Sequence, residues 1–189
     1  MADDITGLIL AGGRGRRIGG ADKGWLEVGG KALVVNALER LRPQVATVIV
    51  SANRNLERYR SLDVDVAVVT DDPSLGDFPG PLAGMLSALR VTTTTWLAVV
   101  PCDAPGFPVD LAARLRAAVR QSNAAIAESS DGVQPTFALL RSSLAPKLAA
   151  WLRNGQRAAH QWFDSIDAVR VQFADNAAFA NLNSPADFR

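Results

Sequence analysis

The sequence predicts one α/β domain of three layers, with helices covering both faces of a mostly parallel sheet. Three observations lead there. Short apolar runs recur along the chain and read as strands. They alternate with segments whose apolar residues fall at i, i+3, i+4 and i+7, the spacing of a buried helix face. Clusters rich in Gly, Ser, Asn and Asp follow directly after the apolar runs. Strands that are apolar throughout and separated by helices belong to a sheet buried on both sides.

The elements follow in order. Residues 5–10 form the first apolar run and enter a glycine-rich stretch. Val34, Ala37, Leu38 and Leu41 then lie at helical spacing, and Pro43 closes that helix. Residues 45–50 are a β-branched strand that ends at Ser51-Ala52-Asn53, followed by a short polar helix around Glu57, Arg58 and Arg60. A third strand spans 64–69 and ends at Thr70-Asp71-Asp72. After a turn-rich segment, Leu82, Met85, Leu86 and Leu89 mark a helix. The threonines at 92–95 connect it to a strand over 96–100, which runs into Pro101-Cys102-Asp103. Leu111, Leu115 and Val119 mark the next helix, residues 124–127 and 136–140 two more strands, and 144–152 a further helix. Trp151 and Trp162 read as core. In an open parallel sheet, ligands sit beyond the carboxyl ends of the strands. The polar clusters at 11–23, 51–53, 71–72 and 101–103 occupy those ends, so the sequence places four strand ends around one site.

Composition bounds the function. A chain of 189 residues, 48% hydrophobic and 21% charged, suits one globular domain with a sizeable core. The formal net charge of +1 gives no basic field for nucleic acid. A single cysteine, Cys102, excludes an intrachain disulfide, and with His160 as the lone histidine neither a Cys cluster nor a two-His metal site can form. The N-terminal MADDITG lacks the features of a signal peptide and no apolar run reaches membrane-spanning length, so the expected location is cytoplasmic with no membrane contact.

Residues 10–24, LAGGRGRRIGGADKG, concentrate glycine with Arg14, Arg16, Arg17 and Lys23 directly after the first strand. Glycine lets backbone N–H groups approach phosphate oxygens, and clustered cations offset their charge. A small phosphorylated ligand is indicated. The dinucleotide fingerprint fails because Ile18 stands where its third glycine is needed, and the P-loop pattern fails because Ala32 follows Gly30-Lys31.

The same loop resembles the LAGG-x-x-x-R-M-G-x-x-K signature of the sugar-phosphate-type nucleotidyltransferases. The resemblance extends, over nearly the whole chain, to their molybdenum cofactor guanylyltransferase branch (MobA type). It is carried by Asp22-Lys23-Gly24 with Gly30-Lys31, Ser51-Ala52-Asn53-Arg54 and the motif from Phe78 to Met85. Pro101-Cys102-Asp103-Ala104-Pro105, Gln134-Pro135-Thr136 and Asn181-Leu182-Asn183-Ser184-Pro185 continue it in the family's order. Ile18 in place of the usual methionine conserves volume. The resemblance implies a three-layer αβα fold with a Rossmann-like sheet of nucleotidyltransferase type over residues 1–189. Its nucleotide half would span about 1–105 and its molybdopterin half about 106–189.

The implied reaction transfers GMP from GTP to the terminal phosphate of molybdopterin, with or without its molybdenum, and releases pyrophosphate. Leu10, Ala11, Gly12 and Gly13 would wrap the guanine and its phosphates, and Lys23 would sit on the triphosphate. Asp72, favoured over the adjacent Asp71, would face the base or ribose, and Gly80 would join the nucleotide contacts. Ser51 stands where the family often carries a nucleotide-contacting Asn; Asn53 is the alternative contact, or a cap for the next segment. Asp103 would bind Mg2+, which suits a single carboxylate with substrate oxygens and water. Arg17, Lys23 and Asp103 form the implied catalytic set, while Arg17, Arg157, Asn181 and Asn183 would face molybdopterin. Attack by an ionised phosphate on the α-phosphorus joins two polyanions, so the protein must supply positioning and positive charge rather than a general base.

Each assignment has a plainer reading. Asp103 can cap the helix after it, Asp72 before Pro73 suits a turn, Ser184-Pro185 suits a helix start, and Arg157 suits a solvated surface. Rival activities of the same fold are a molybdopterin cytidylyltransferase and a sugar-phosphate nucleotidyltransferase. By resemblance, Gly12 in the LAGG motif leaves room for a purine, and the compact chain disfavours the longer sugar enzymes. A non-catalytic nucleotide- or cofactor-binding protein is the rival of another class. The family also implies transient contact with other molybdenum cofactor enzymes and apo-molybdoenzymes.

Overall fold

A computed structural model describes residues 2–13, 22–63, 65–76 and 79–182. The chain runs through β1 (Ile5–Leu10), a small hairpin of β2 (Glu27–Val28) and β3 (Lys31–Ala32), α1 (Leu33–Leu41), β4 (Thr47–Ser51) and α2 (Leu56–Arg60). It continues through β5 (Val66–Val69), α3 (Pro81–Val91), β6 (Trp96–Pro101) and α4 (Leu111–Ala118). The last part holds β7 (Ala124–Ser129), β8 (Gly132–Arg141), α5 (Ala145–Arg153), α6 (Ala159–Ser165) and β9 (Val169–Gln172).

Seven strands form one sheet in the order β5-β4-β1-β6-β8-β7-β9. Every neighbouring pair is parallel except the two made by β8. Because successive side chains of a strand point to opposite faces, each central strand feeds two cores. Ile5 and Ile9 of β1, Val48 and Val50 of β4, and Ala98 and Val100 of β6 pack with α1 and α4 on one face. Leu8, Ile49, Leu97 and Val99 pack with α3, α5 and α6 on the other. The single α/β domain and its three layers are those the apolar spacing predicts. Helix α1 shows why: Leu33, Val34, Ala37, Leu38 and Leu41 are all buried on one stripe.

The differences from the sequence reading lie in short or interrupted elements. The β2–β3 hairpin has two residues per strand, too few for any periodicity. Strand β8 begins at Gly132, before Pro135, and its register against β7 shifts between Ile126 and Ala127. That irregularity accommodates a residue with no N–H to donate. Helix α6 is seven residues long and β9 four, and β9 is an edge strand whose side chains alternate half-buried and exposed. Neither is long enough to separate from noise on sequence spacing alone. The expected strand start at Val64 and the helix start at Ser184-Pro185 lie outside the described residues. No helix among the described residues is long and apolar enough to cross a membrane.

Candidate active site

The ladders of the parallel strands continue one residue past the strands themselves. Ala11 donates its N–H to the Ser51 carbonyl at 2.8 Å, Ala52 to Val69 at 3.0 Å and Cys102 to Leu10 at 3.0 Å. The carboxyl ends of β1, β4, β5 and β6 are thereby locked side by side, and a cavity of about 780 Å³ opens over them. That volume suits a ligand of nucleotide size.

Leu10, Ala11, Gly12 and Gly13 line it from the end of β1, Ser51 from β4 and Asp71 from just beyond β5. Pro101, Cys102 and Asp103 line it from the end of β6. The Lys23 ammonium reaches across and donates to Asp103 Oδ2 at 2.6 Å, with the two side chains 16% and 21% exposed. Both charged groups remain reachable from the cavity. Cys102 is buried, and burial next to the Asp103 carboxylate pushes its thiol far above the usual range, so it lines the wall as a neutral side chain.

The amino end of α3 closes one side through Gly80, Pro81 and Gly84. Pro81 occupies the first helical position, where no N–H is needed, and Gly80 has φ 88, a left-handed conformation suited to glycine. This end of an eleven-residue helix carries partial positive charge into the cavity. Gly84 is required by packing: a Cβ there would lie 2.6 Å from Ser51 Oγ and 2.9 Å from Leu10 Cδ2. The absent side chain lets α3 press directly on two strand ends.

The adjacent aspartates part company. Asp71 lines the cavity, whereas Asp72, favoured on sequence, turns away. Asp72 Oδ1 accepts from the backbone N–H of Ser74 at 3.0 Å and from its hydroxyl at 2.7 Å, and its carboxylate pairs with Arg90 at 3.2 Å. These bonds, first those from Ser74, hold its carboxyl below the usual range. It caps the turn before α3, as its position ahead of Pro73 allows. Asp71 Oδ2 accepts from Asn53 Nδ2 at 2.7 Å, and Asn53 Oδ1 accepts the Asp71 N–H at 2.9 Å. Asp71 Oδ1 is buried without a hydrogen-bond partner among the described residues, and burial raises its carboxyl above the usual carboxylate range.

Asn53 therefore orients Asp71 rather than lining the cavity, and Ser51, 2% exposed, is the member of that pair on the cavity wall. Arg157 also departs from its expected place. Its guanidinium donates to the carbonyls of Leu152 at 2.7 Å and Gln156 at 3.0 Å, at the end of α5, and to Leu75 at 3.2 Å. It ties α5 to the turn that follows Asp72 and is not part of the cavity wall. Asn181 does line the cavity, brought there by a segment whose Leu182 N–H donates to the Asp103 carbonyl at 2.8 Å. Arg17 and Asn183 lie outside the described residues, as do Arg14 and Arg16.

Thr136, at the irregular centre of β8, lines the cavity, although the resemblance assigns it no contact. Its place in Gln134-Pro135-Thr136 was the available signal, since a proline inside a strand marks a break in pairing. Among the described residues no group of three or more His, Cys, Asp or Glu side chains could hold a metal ion.

A cavity at the carboxyl edge of a parallel sheet, lined by Gly12 and Gly13 and crossed by a lysine–aspartate pair, suits a small anionic ligand of nucleotide size. Residues 7–169 match the MobA-like NTP transferase domain, and the chain belongs to that family. It is 47% identical over 189 residues to a molybdenum cofactor guanylyltransferase of Burkholderia ambifaria, covering 95% of this chain and 91% of the relative. It is 45% identical over 197 residues to the Ralstonia nicotianae protein of the same description, covering 98% and 95% of the two chains. Among solved structures, molybdopterin-guanine dinucleotide biosynthesis protein A from Archaeoglobus fulgidus aligns with a TM-score of 0.79 at 23% identity, over 97% of this chain and 94% of that one. At that identity the last comparison concerns the fold.

Proposed function

We propose that this protein transfers GMP from GTP to the terminal phosphate of molybdopterin, with or without bound molybdenum, giving the guanine dinucleotide form of the cofactor and pyrophosphate. The observation that carries the reading is the Lys23–Asp103 pair at 2.6 Å on the cavity wall, in a chain 47% identical to a guanylyltransferase over nearly its full length. An acceptor phosphate oxygen attacks the α-phosphorus of GTP, a new P–O bond forms, and the bond to the β-phosphate breaks. The residues supply placement and charge rather than covalent chemistry.

Leu10 to Gly13 give the nucleotide a close backbone approach, and Lys23 offsets charge on the triphosphate. Asp71, on the cavity wall with its orientation fixed by Asn53, would accept a hydrogen bond from the guanine edge or the ribose. Asp103 offers a hard carboxylate oxygen to the cavity, as Mg2+ requires, and would hold the ion together with substrate oxygens. When bound, Mg2+ neutralises charge on the phosphate oxygens. Asn181 and Thr136 line the same cavity, and both would contact the acceptor. A cytoplasmic enzyme that passes its product to apo-molybdoenzymes is consistent with this activity.

Calorimetry with GTP, CTP and ATP in the presence of Mg2+, followed by pyrophosphate release with molybdopterin, tests the proposal. A clear preference for GTP with turnover is expected. A preference for CTP assigns the chain to cytidylyl transfer, and nucleotide binding without pyrophosphate release makes it a binder rather than an enzyme.

A further inference from the structure

Residues 53–60, between β4 and the end of α2, stand behind the cavity wall rather than on it, yet they grip the glycine-rich loop at both of its described ends. At the first end, the Arg54 guanidinium donates to the Gly13 carbonyl at 3.0 Å. At the second, both carboxylate oxygens of Asp22 are taken. Tyr59 donates its hydroxyl to Asp22 Oδ1 at 2.6 Å, and Asn55 donates Nδ2 to Asp22 Oδ2 at 2.9 Å. Asn55 reaches it from a left-handed backbone, φ 50, a conformation Asn tolerates better than most residues.

The contact extends past Lys23. A Cβ at Gly24 would come 2.3 Å from the Tyr59 hydroxyl, so the chain passes over the phenol only because glycine stands there. Trp25 then packs on the Tyr59 ring at 5.1 Å, with Arg58 over the indole at 3.9 Å. Lys23 is thus held between two residues that both seat on Tyr59, and its ammonium reaches Asp103 at 2.6 Å.

We infer that Tyr59 is a positioning residue, acting through Asp22 to hold Lys23 at the phosphate-binding end of the cavity. Core filling alone accounts for the ring, which is 0% exposed, but not for the hydroxyl. A phenylalanine would fill the same volume and bring no buried donor that must find a partner. Burial, then Asp22, pushes the phenol far above its usual range, so it stays protonated and keeps donating. A hydrogen bond to a carboxylate is among the stronger ones available, and here it fixes the backbone next to the cation.

The assignment of Lys23 to a triphosphate rests on the proposed function, so the test reads Lys23 both with and without nucleotide. The rate of reductive methylation of Lys23 is measured by mass spectrometry in wild type and Tyr59→Phe, with Lys31 as internal reference. GTP affinity is measured by calorimetry on the same samples, and thermal melting checks that each is folded. Tyr59→Phe is expected to raise Lys23 labelling severalfold and weaken GTP binding by about tenfold. Asp22→Asn, which alters the other end of the same bond, is expected to do likewise, and the double variant to be little worse than either alone. Should Tyr59→Phe fail to fold, Asp22→Asn gives the same readout. Lys23 labelling equal to wild type, or additive effects in the double variant, overturns the inference. Absence of GTP binding in the wild type overturns the proposed function instead, and the labelling result still decides the role of Tyr59.

Discussion

The two ends of the sheet contribute to the site in different ways. Around β1, β4, β5 and β6, the parallel ladder itself delivers Leu10, Ser51, Asp71 and Asp103 to one cavity, each at the end of its strand or within two residues of it. At the other end, β8 runs antiparallel, β9 is a short edge strand, and the cavity receives Thr136 from an irregular stretch and Asn181 from a non-strand segment. One region places its groups by a repeating backbone rule, the other by particular local contacts. On the parallel side the position of a residue in sequence is close to a statement of its place in space. On the far side it is not.

The largest effect is expected at the ladder end of β6. Asp103→Ala removes the carboxylate that faces the cavity and the partner of Lys23, and turnover should fall by about 10²–10³-fold. Pyrophosphate release checks it, and near-wild-type turnover would remove Asp103 from the chemistry. Next in size, Gly84→Ala drives a Cβ into Ser51 Oγ and Leu10 Cδ2 and should cost about 1–3 kcal/mol of stability, read from urea unfolding. A neutral result would mean that α3 does not press on the strand ends as described.

Asp71→Asn tests the buried, unpartnered oxygen. GTP affinity should drop by about tenfold, while the free protein gains stability at neutral pH. The sign follows from the raised carboxyl. The folded chain holds that proton more tightly than the unfolded chain, so the contribution is fully present below the ordinary carboxylate range. It is lost as the pH rises through the raised value. The advantage of the Asp71→Asn variant over the native protein should therefore fade on acidification, and a pH series of thermal melts would show it. The smallest effect is expected for Asp72→Ala, which removes a turn cap and a surface pair with Arg90. Turnover should change less than twofold, and a large loss would return Asp72 to the nucleotide site.

Asp71 and Asp72 also show where sequence reasoning stops. Both follow the same strand and either suits a nucleotide contact. The choice between them is made by the turn at Pro73–Leu75, where Ser74 captures Asp72 while Asn53 captures Asp71. Arg157 was legible as a cation but not as a clamp, because its partners are backbone carbonyls of Leu152, Gln156 and Leu75, which carry no side-chain signature. The role of Tyr59 was hidden for a related reason: α2 is a five-residue helix, and its contact with Asp22 spans 37 positions.

Apolar periodicity and the glycine-rich loop are local features, so the alternation of strands and helices, the three layers and the family are legible in the amino acids alone. So is the place of Lys23 and Asp103 near one strand edge, since a parallel sheet brings all its carboxyl ends together. Packing of the layers sets which aspartate after β5 faces the cavity, makes Asn53 and Arg157 hold other groups in place, and brings Thr136 and Asn181 to the wall. Those outcomes depend on turns, edge pairing and long-range hydrogen bonds, whose partners are set by how the layers pack rather than by any spacing along the chain.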